Sequence, residues 1–538
     1  MNRAQHAVTP NAKRGLPRRV AALSVAFFMV ACATQDSEPP ATADLSQADR
    51  LFRTGYQDVA DIYIEEISIA ELATAGLANL DELDPEASVE RINGHVDFRL
   101  KGIQVAEFVA PGASDADGWG SLTASVLRIG QSRSETMREA PPERLYEVVF
   151  DGMLTELDDF SRYAGREEAR ENRASRDGFG GIGVRIRLVE DGVRVLSVME
   201  DTPAQSAGLE NDDIIVAIDG EDTVGLTQRE VVRRLRGPLR SEVDLTVKRG
   251  EPAETLVVSI VRAHIVPQTV RYERSGDVAI LRVSGFNQST ARSLREKIKH
   301  AQDEIGPQLA GYVIDLRGNP GGLLDQAVAV SDFFLEAGRI VSTHGRHPDS
   351  HQYFDAEPDD LIGDRPVALL INGNSASASE IVAAALQDSG RAVVIGSGSF
   401  GKGTVQTVLR LPNEGELTLT WARFHAPSGY ALNRRGILPD LCTSNGVEDS
   451  EEILDRLRKG LLPPPRATQQ IDIAADDEAG IKTLRAYCPA RQVESVLDLE
   501  VATRLLEDPT LFARAVGDDA APDTARLAPQ SRAVAHSP

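Results

Sequence analysis

Two apolar rhythms divide the chain. In its second half, short unbroken apolar runs of strand length are followed by helical spacing. Tyr312 to Leu316 precedes a helical pattern over Leu323 to Leu335, and Val367-Ala368-Leu369-Leu370-Ile371 precedes one over Glu380 to Gln387. Near the middle the period is two, in Arg185 to Leu188 and Val193 to Val198, and again through Val405, Val408, Leu409 and Leu411. Helical patterns at 49 to 84 and 141 to 173 flank a near-alternating stretch from Gly94 to Gly130, which predicts a small β insertion with a loop at Asp115, Asp117 and Gly118. Helices over 450 to 458 and 492 to 516 close the pattern, separated by the breaker Pro463-Pro464-Pro465.

The strand-to-helix junctions carry the candidate chemistry. Ser377, in Asn374-Ser375-Ala376-Ser377-Ala378-Ser379-Glu380, sits where the first helical N–H groups lack intrahelical partners and favour developing negative charge. A serine needs a base during attack, and Lys402 in Gly401-Lys402-Gly403-Thr404-Val405-Gln406 is the candidate. Lysine accepts a proton only when neutral, so its ordinary pKa of roughly 10.4 has to fall through burial. Gln406 lies four residues on, on the same strand face by the two-residue period, where its amide oxygen can orient the amine. Gly396, Gly401 and Lys402 also approach a phosphate-binding loop. Position 403 is glycine where that motif requires Ser or Thr, and a strand follows where it requires a helix. In the second junction, Leu316-Arg317-Gly318-Asn319-Pro320-Gly321-Gly322, a bare N–H of Gly321 or Gly322 with that of Ala378 would make a two-donor oxyanion hole. An ordinary strand-to-helix turn is the plain alternative for the glycines.

These blocks closely resemble the carboxyl-terminal processing, or tail-specific, proteases, which carry a Ser-Lys-Gln arrangement. The matching stretches are Leu316 to Leu324, Ser375 to Asp388, Gly396 to Gln406 and Leu417 to Asp440. The resemblance implies Ser377 as nucleophile, Lys402 as general base, Gln406 as its partner, and an α/β core of crotonase-like (ClpP-like) fold. Upstream, Gly178-Phe179-Gly180-Gly181-Ile182-Gly183-Val184 opens into strands, and Thr202-Pro203-Ala204, Ala207-Gly208-Leu209 and Ile214 to Gly220 follow. This resembles an inserted PDZ domain, with Gly181, Ile182, Gly183 and Val184 as the loop that holds a terminal carboxylate. Asp212 departs from the glycine usual in related domains and puts that turn in doubt; a plain β-hairpin module is the alternative.

The N-terminus bears on location. Arg3, Lys13, Arg14, Arg18 and Arg19 precede the twelve-residue, mainly apolar run Val20 to Ala31, an export signal too short to span a bilayer. Met29-Val30-Ala31-Cys32 resembles a lipoprotein processing box, which implies lipidation of Cys32 and a periplasmic, membrane-anchored protein; Ala33 lacks the aspartate that marks inner-membrane retention in related lipoproteins, which favours the outer membrane and leaves the inner as the alternative. A soluble exported protein is the other reading. Cys442 and Cys488 remain as a disulfide or as a buried free pair. The net charge of −24 argues against nucleic acid and against electrostatic adhesion to anionic lipid. No His/Cys/Glu cluster has metal-site spacing, so neither metal nor cofactor is expected, and His344, His347 and His351 are placed in a solvated loop.

The expected organisation is a signal peptide (1–31), a tether (32–48), a mainly helical region (49–175), the PDZ domain (176–263), the protease core (264–463), a helical region (464–516) and a disordered tail (517–538). The expected function is an exported serine endopeptidase. It captures apolar C-terminal tails of protein substrates, cuts through an acyl-enzyme, and is gated by peptide engagement. An adaptor and a homodimer are possible partners. A catalytically silent PDZ scaffold at the membrane, and a crotonase-like enzyme acting on acyl thioesters, are the alternatives.

Overall fold

The computed structural model describes residues 45–358, 360–446, 449–461, 473 and 477–517. The export signal, Cys32, most of the tether, the three prolines and all but Gly517 of the tail lie outside the described residues.

The apolar runs of the second half become a six-stranded sheet in the order Val270–Ser275, Val278–Val283, Gly311–Asp315, Val367–Ile371, Ala392–Gly396 and Leu441–Cys442. Only the first pair is antiparallel. The runs are unbroken because both faces are covered. Leu281, Ile314, Leu369 and Val394 pack with residues of the helices Thr290–Ile305, Leu324–Asp332 and Ala378–Asp388. Their alternates Ile280, Val313, Leu370 and Ile395 pack with residues of the helices Ser450–Arg458, Val496–Leu506 and Pro509–Val516. Parallel strands align their C-terminal ends, so the turns after Asp315, Ile371 and Gly396 leave the same edge of three neighbouring strands. Open parallel sheets bind ligands at that edge.

A second sheet runs Gln352–Asp355, Arg339–His344, Glu416–His425 and Thr404–Arg410, with Arg162–Ala164 added to Glu416–His425. Through Leu411, Leu417 and Leu419 it shares a core with the N-terminal helices Ala48–Ile62, Ile69–Ala78, Ala116–Arg133 and Pro142–Leu154. Phe150 stacks between Phe52 at 5.2 Å and Tyr163 at 4.4 Å. This packing brings the loop 158–162 beside the sheet. The period-two middle region forms an antiparallel sheet from Val184–Val189, Gly192–Val198, Ile214–Ile218, Glu242–Arg249 and Glu254–Val261, with the helix Gln228–Leu235 capped by Thr227 and Glu230. Phe179–Gly181 and Ala263–Ile265 pair at its base, where the chain enters and leaves.

Three expectations change. The insertion is a three-stranded meander, Ala87–Ile92, His95–Leu100 and Ile103–Val109, but it ends before the aspartates. Asp115 caps the helix Ala116–Arg133 by accepting from Gly118 N–H at 2.9 Å, so the aspartate loop is a helix start. The closing helix is two, because Asp508 and Pro509 begin a new one. His344 is not in a loop; it ends the strand Arg339–His344, and its ring lies 4.8 Å from that of His425 on the paired strand.

Candidate active site

Ser377 adopts φ 55° and ψ −113°. With Ser379 N–H donating to Ala376 C=O at 3.1 Å, this is the first central position of a type II′-like turn, normally left to glycine. Such a backbone costs about 1–3 kcal/mol and persists only where its surroundings enforce it. They do so here. Buried Ser375 accepts from Asn372 N–H at 2.9 Å and donates to Leu316 C=O at 2.8 Å. Asn319, also buried, takes Ala376 N–H at 3.0 Å and the Ser379 hydroxyl at 3.0 Å on its carbonyl. The serine turn is thus tied to the glycine turn.

Glu380 joins the serine turn to the lysine turn. It is wholly buried and accepts four hydrogen bonds: Ser377 N–H at 2.8 Å and Lys402 N–H at 2.9 Å on Oε2, Gly401 N–H at 2.6 Å and the Ser399 hydroxyl at 2.5 Å on Oε1. Ser399 Oγ meanwhile accepts from Ile437 N–H at 2.7 Å, so its one proton points to Glu380. Burial pushes the Glu380 carboxyl up, and the four donors oppose that. With a donor at every site, the carboxylate is the form the pocket fits.

Lys402 is half-buried between two glycines set by close contact. A Cβ at Gly403 would lie 1.9 Å from Asn433 N, and Gly401 has φ 95°. Its Nζ lies 4.9 Å from the centroid of the Phe160 ring, and among the described residues it takes no hydrogen bond or ion pair. Burial first, and then the Arg162 charge, holds the amine below the ordinary lysine value of 10.5; Asp158 and Glu380 pull the other way.

The structure therefore brings the turns of Ser377, Lys402 and the glycines together, but does not join Lys402 to Ser377 or to Gln406 by a hydrogen bond. Gln406 Nε2 donates to Thr404 Oγ1 at 2.8 Å and Thr420 Oγ1 at 3.2 Å. Lys402 precedes the strand Thr404–Arg410, and the register shifts between Val405 and Gln406, so the two-residue period does not by itself relate the two side chains. Gly321 also differs from expectation. Its N–H donates to Asn319 Oδ1 at 2.9 Å, although a Cβ on it would sit 2.9 Å from Ser377 Cβ and 3.1 Å from Ala378 N. Gly322 has φ 145° and lies against Phe286. In the inserted unit, Gly181, Ile182, Gly183 and Val184 line an apolar groove of about 110 Å³ with Val232 and Leu235, and Arg236 lies 3.9 Å over the Phe179 ring. Asp212 takes φ 68°, the conformation a glycine would supply. Cys442 and Cys488 are joined as a disulfide.

Glu380, Asn319 and the Phe160 loop carry roles that sequence reasoning did not assign. Ser377-x-x-Glu380 has capping-box spacing, a signal that was present. Phe160 had none.

Comparison with known proteins gives the family and the inserted domain. The description "Peptidase family S41" matches residues 277–443, and "PDZ domain" matches residues 194–249. A carboxy-terminal-processing protease of Bartonella bacilliformis is 44% identical over 301 residues, 56% of this chain and 69% of that one. A probable CtpA-like serine protease of Staphylococcus aureus is 32% identical over 356 residues, 65% of this chain and 68% of that one. The solved photosystem II D1 C-terminal processing protease is 23% identical, with 73% of this chain and 92% of that one covered at a TM-score of 0.37.

Proposed function

Since the chain belongs to the carboxy-terminal-processing proteases of peptidase family S41, we propose that its peptidase activity runs through Ser377 as nucleophile and Lys402 as general base. Glu380, bonded to the backbone of both residues, is the observation that carries this reading. Ser377 attacks the scissile carbonyl, its proton passes to the neutral amine, and the protonated amine then supplies the leaving nitrogen. The acyl-enzyme on Ser377 is hydrolysed by water that the same amine deprotonates. Ala378 N–H with a glycine N–H would hold the oxyanion, and Gly321 has to release Asn319 to take part. Gln406 keeps its amide oxygen for the lysine while Nε2 is held by two threonines. A crotonase-like assignment of the core fits the parallel sheet with its site at the C-terminal strand edge.

Substrate selection falls to the PDZ unit. Its apolar groove, with bare glycine backbone at 181 and 183, suits a C-terminal carboxylate followed by an apolar side chain. Because Lys402 rests on Phe160, tail capture has a step left to perform: turning the amine toward Ser377. Export and lipidation at Cys32, giving a periplasmic protein on the outer membrane, rest on the N-terminal sequence alone.

The test is cleavage of an unfolded protein ending in an apolar tail, followed by mass, with wild type beside Ser377→Ala and Lys402→Ala. Cleavage by wild type alone is expected. Cleavage by Ser377→Ala at the wild-type rate would overturn the assignment.

A further inference from the structure

The C-terminal segment 485–498 carries none of the proposed chemistry, yet it touches all three site turns. At the lysine turn, Arg485 donates to Ser399 C=O at 2.8 Å, Gly398 N–H donates to Cys488 C=O at 3.2 Å, and Arg491 N–H donates to Ser397 Oγ at 3.1 Å. At the serine turn, Gly373 N–H donates to Arg491 C=O at 2.8 Å, and the Gln492 carbonyl accepts from the side chains of Asn372 at 3.2 Å and Asn374 at 3.0 Å. Asn372 Oδ1 passes this on to the glycine turn by accepting Gly318 N–H at 3.0 Å, and Arg317 donates to Ser495 C=O at 2.6 Å.

Each end of the segment is secured. Cys488 is bonded to Cys442 on the last strand of the sheet, 46 residues away in sequence. At the other end Asp498, wholly buried, accepts Arg491 at 2.6 Å and the Thr443 hydroxyl at 2.6 Å on Oδ1, and Arg317 at 3.2 Å on Oδ2. Arg317 also forks onto Asp315 at 2.9 and 2.8 Å. Two buried carboxylates thus balance two guanidinium groups, and losing one leaves a cation uncompensated.

We propose that residues 485–498 form a positioning strap for the three site turns, with Asp498 as its buried anchor and the Cys442–Cys488 disulfide as its lock. The inference rests on the peptidase reading above. Asp498 touches no reacting atom; it acts through Arg317 and Arg491. A dithiol reductant would transfer two electrons and two protons to the disulfide, leaving two cysteine thiols and closing to its own cyclic disulfide. The strap would then be held by hydrogen bonds and ion pairs alone, and catalysis would slow until reoxidation.

The test compares the full chain with its Asp498→Asn variant, beside Ser377→Ala. It measures kcat and KM on the tail-bearing substrate, affinity for a free apolar C-terminal peptide, and amide exchange at Gly318, Gly373 and Gly398. We expect kcat to fall about tenfold or more, KM and peptide affinity to stay within about twofold, and the three amides to exchange faster. If Asp498→Asn lacks a cooperative melt, fully reduced wild type replaces it, with Cys442→Ser/Cys488→Ser expected to be slow and indifferent to dithiol. Unchanged kcat with unchanged exchange overturns the strap, as does a loss of kcat matched by an equal loss of peptide affinity. Wild type that cuts nothing would strike the peptidase reading instead, and the exchange rates would then judge the strap by themselves.

Discussion

The serine side and the lysine side of the site are finished to different degrees. Ser377 has its turn fixed by Ser375, Asn319 and Glu380, down to a backbone conformation that few residues adopt. Lys402 has an equally fixed backbone, but its amine rests on the Phe160 ring with no hydrogen bond among the described residues. Rebuilding a strained turn costs about 1–3 kcal/mol, whereas turning a side chain between staggered rotamers needs no backbone change. Under the proposed mechanism the difference teaches that the serine is built in advance and the lysine amine is what remains to be engaged.

The hardest way to break this comparison is to delete either partner. Ser377→Ala and Lys402→Ala should each lower kcat at least about a thousandfold while tail binding persists, read by steady-state cleavage and peptide affinity. Next comes the link between the two sides. Glu380→Gln puts an NH2 where only donors point, so at least one buried N–H loses its acceptor at about 1–3 kcal/mol. That cost should appear in kcat, up to about a hundredfold, and as a lower Tm.

A gentler change sharpens the lysine side. In the proposed mechanism the neutral amine is the active form, so activity should rise with pH as Lys402 loses its proton, and its depressed pKa puts that limb below the ordinary 10.5. Arg162 contributes to the depression, so Arg162→Ala should move the limb of kcat/KM to higher pH. A pH–rate profile checks the sign. The smallest effect lies farthest from the chemistry: Val232→Asp places a carboxylate in the apolar groove and should raise KM for tail-bearing substrates about tenfold with kcat unchanged.

What the sequence disclosed follows the range of each interaction. The strand–turn–helix junctions at Leu316 and Ile371 were legible because their apolar runs and turn residues are contiguous, and the strands Gly311–Asp315 and Val367–Ile371 formed within a residue of expectation. Ser377, Lys402 and the glycines stand out by local spacing and by resemblance. The period that relates Gln406 to Lys402 does not carry across the register shift between Val405 and Gln406, and the threonines that hold the Gln406 amide nitrogen give no local signal for it. Phe160 over Lys402 and Asp498 under Arg317 had no local signal, since each meets its partner across more than a hundred residues of chain. The helix start at Asp115 was missed although aspartate there is an ordinary cap, because the preceding alternation drew the stretch into a sheet.

The most direct check on the nucleophile is acid-quenched mass analysis during turnover of a tail-bearing protein. The account predicts that the fragment containing Ser377 transiently carries the mass of the substrate's acyl portion, with no such adduct in Ser377→Ala. Steady cleavage with that fragment unmodified, or with the adduct on another residue, would contradict it.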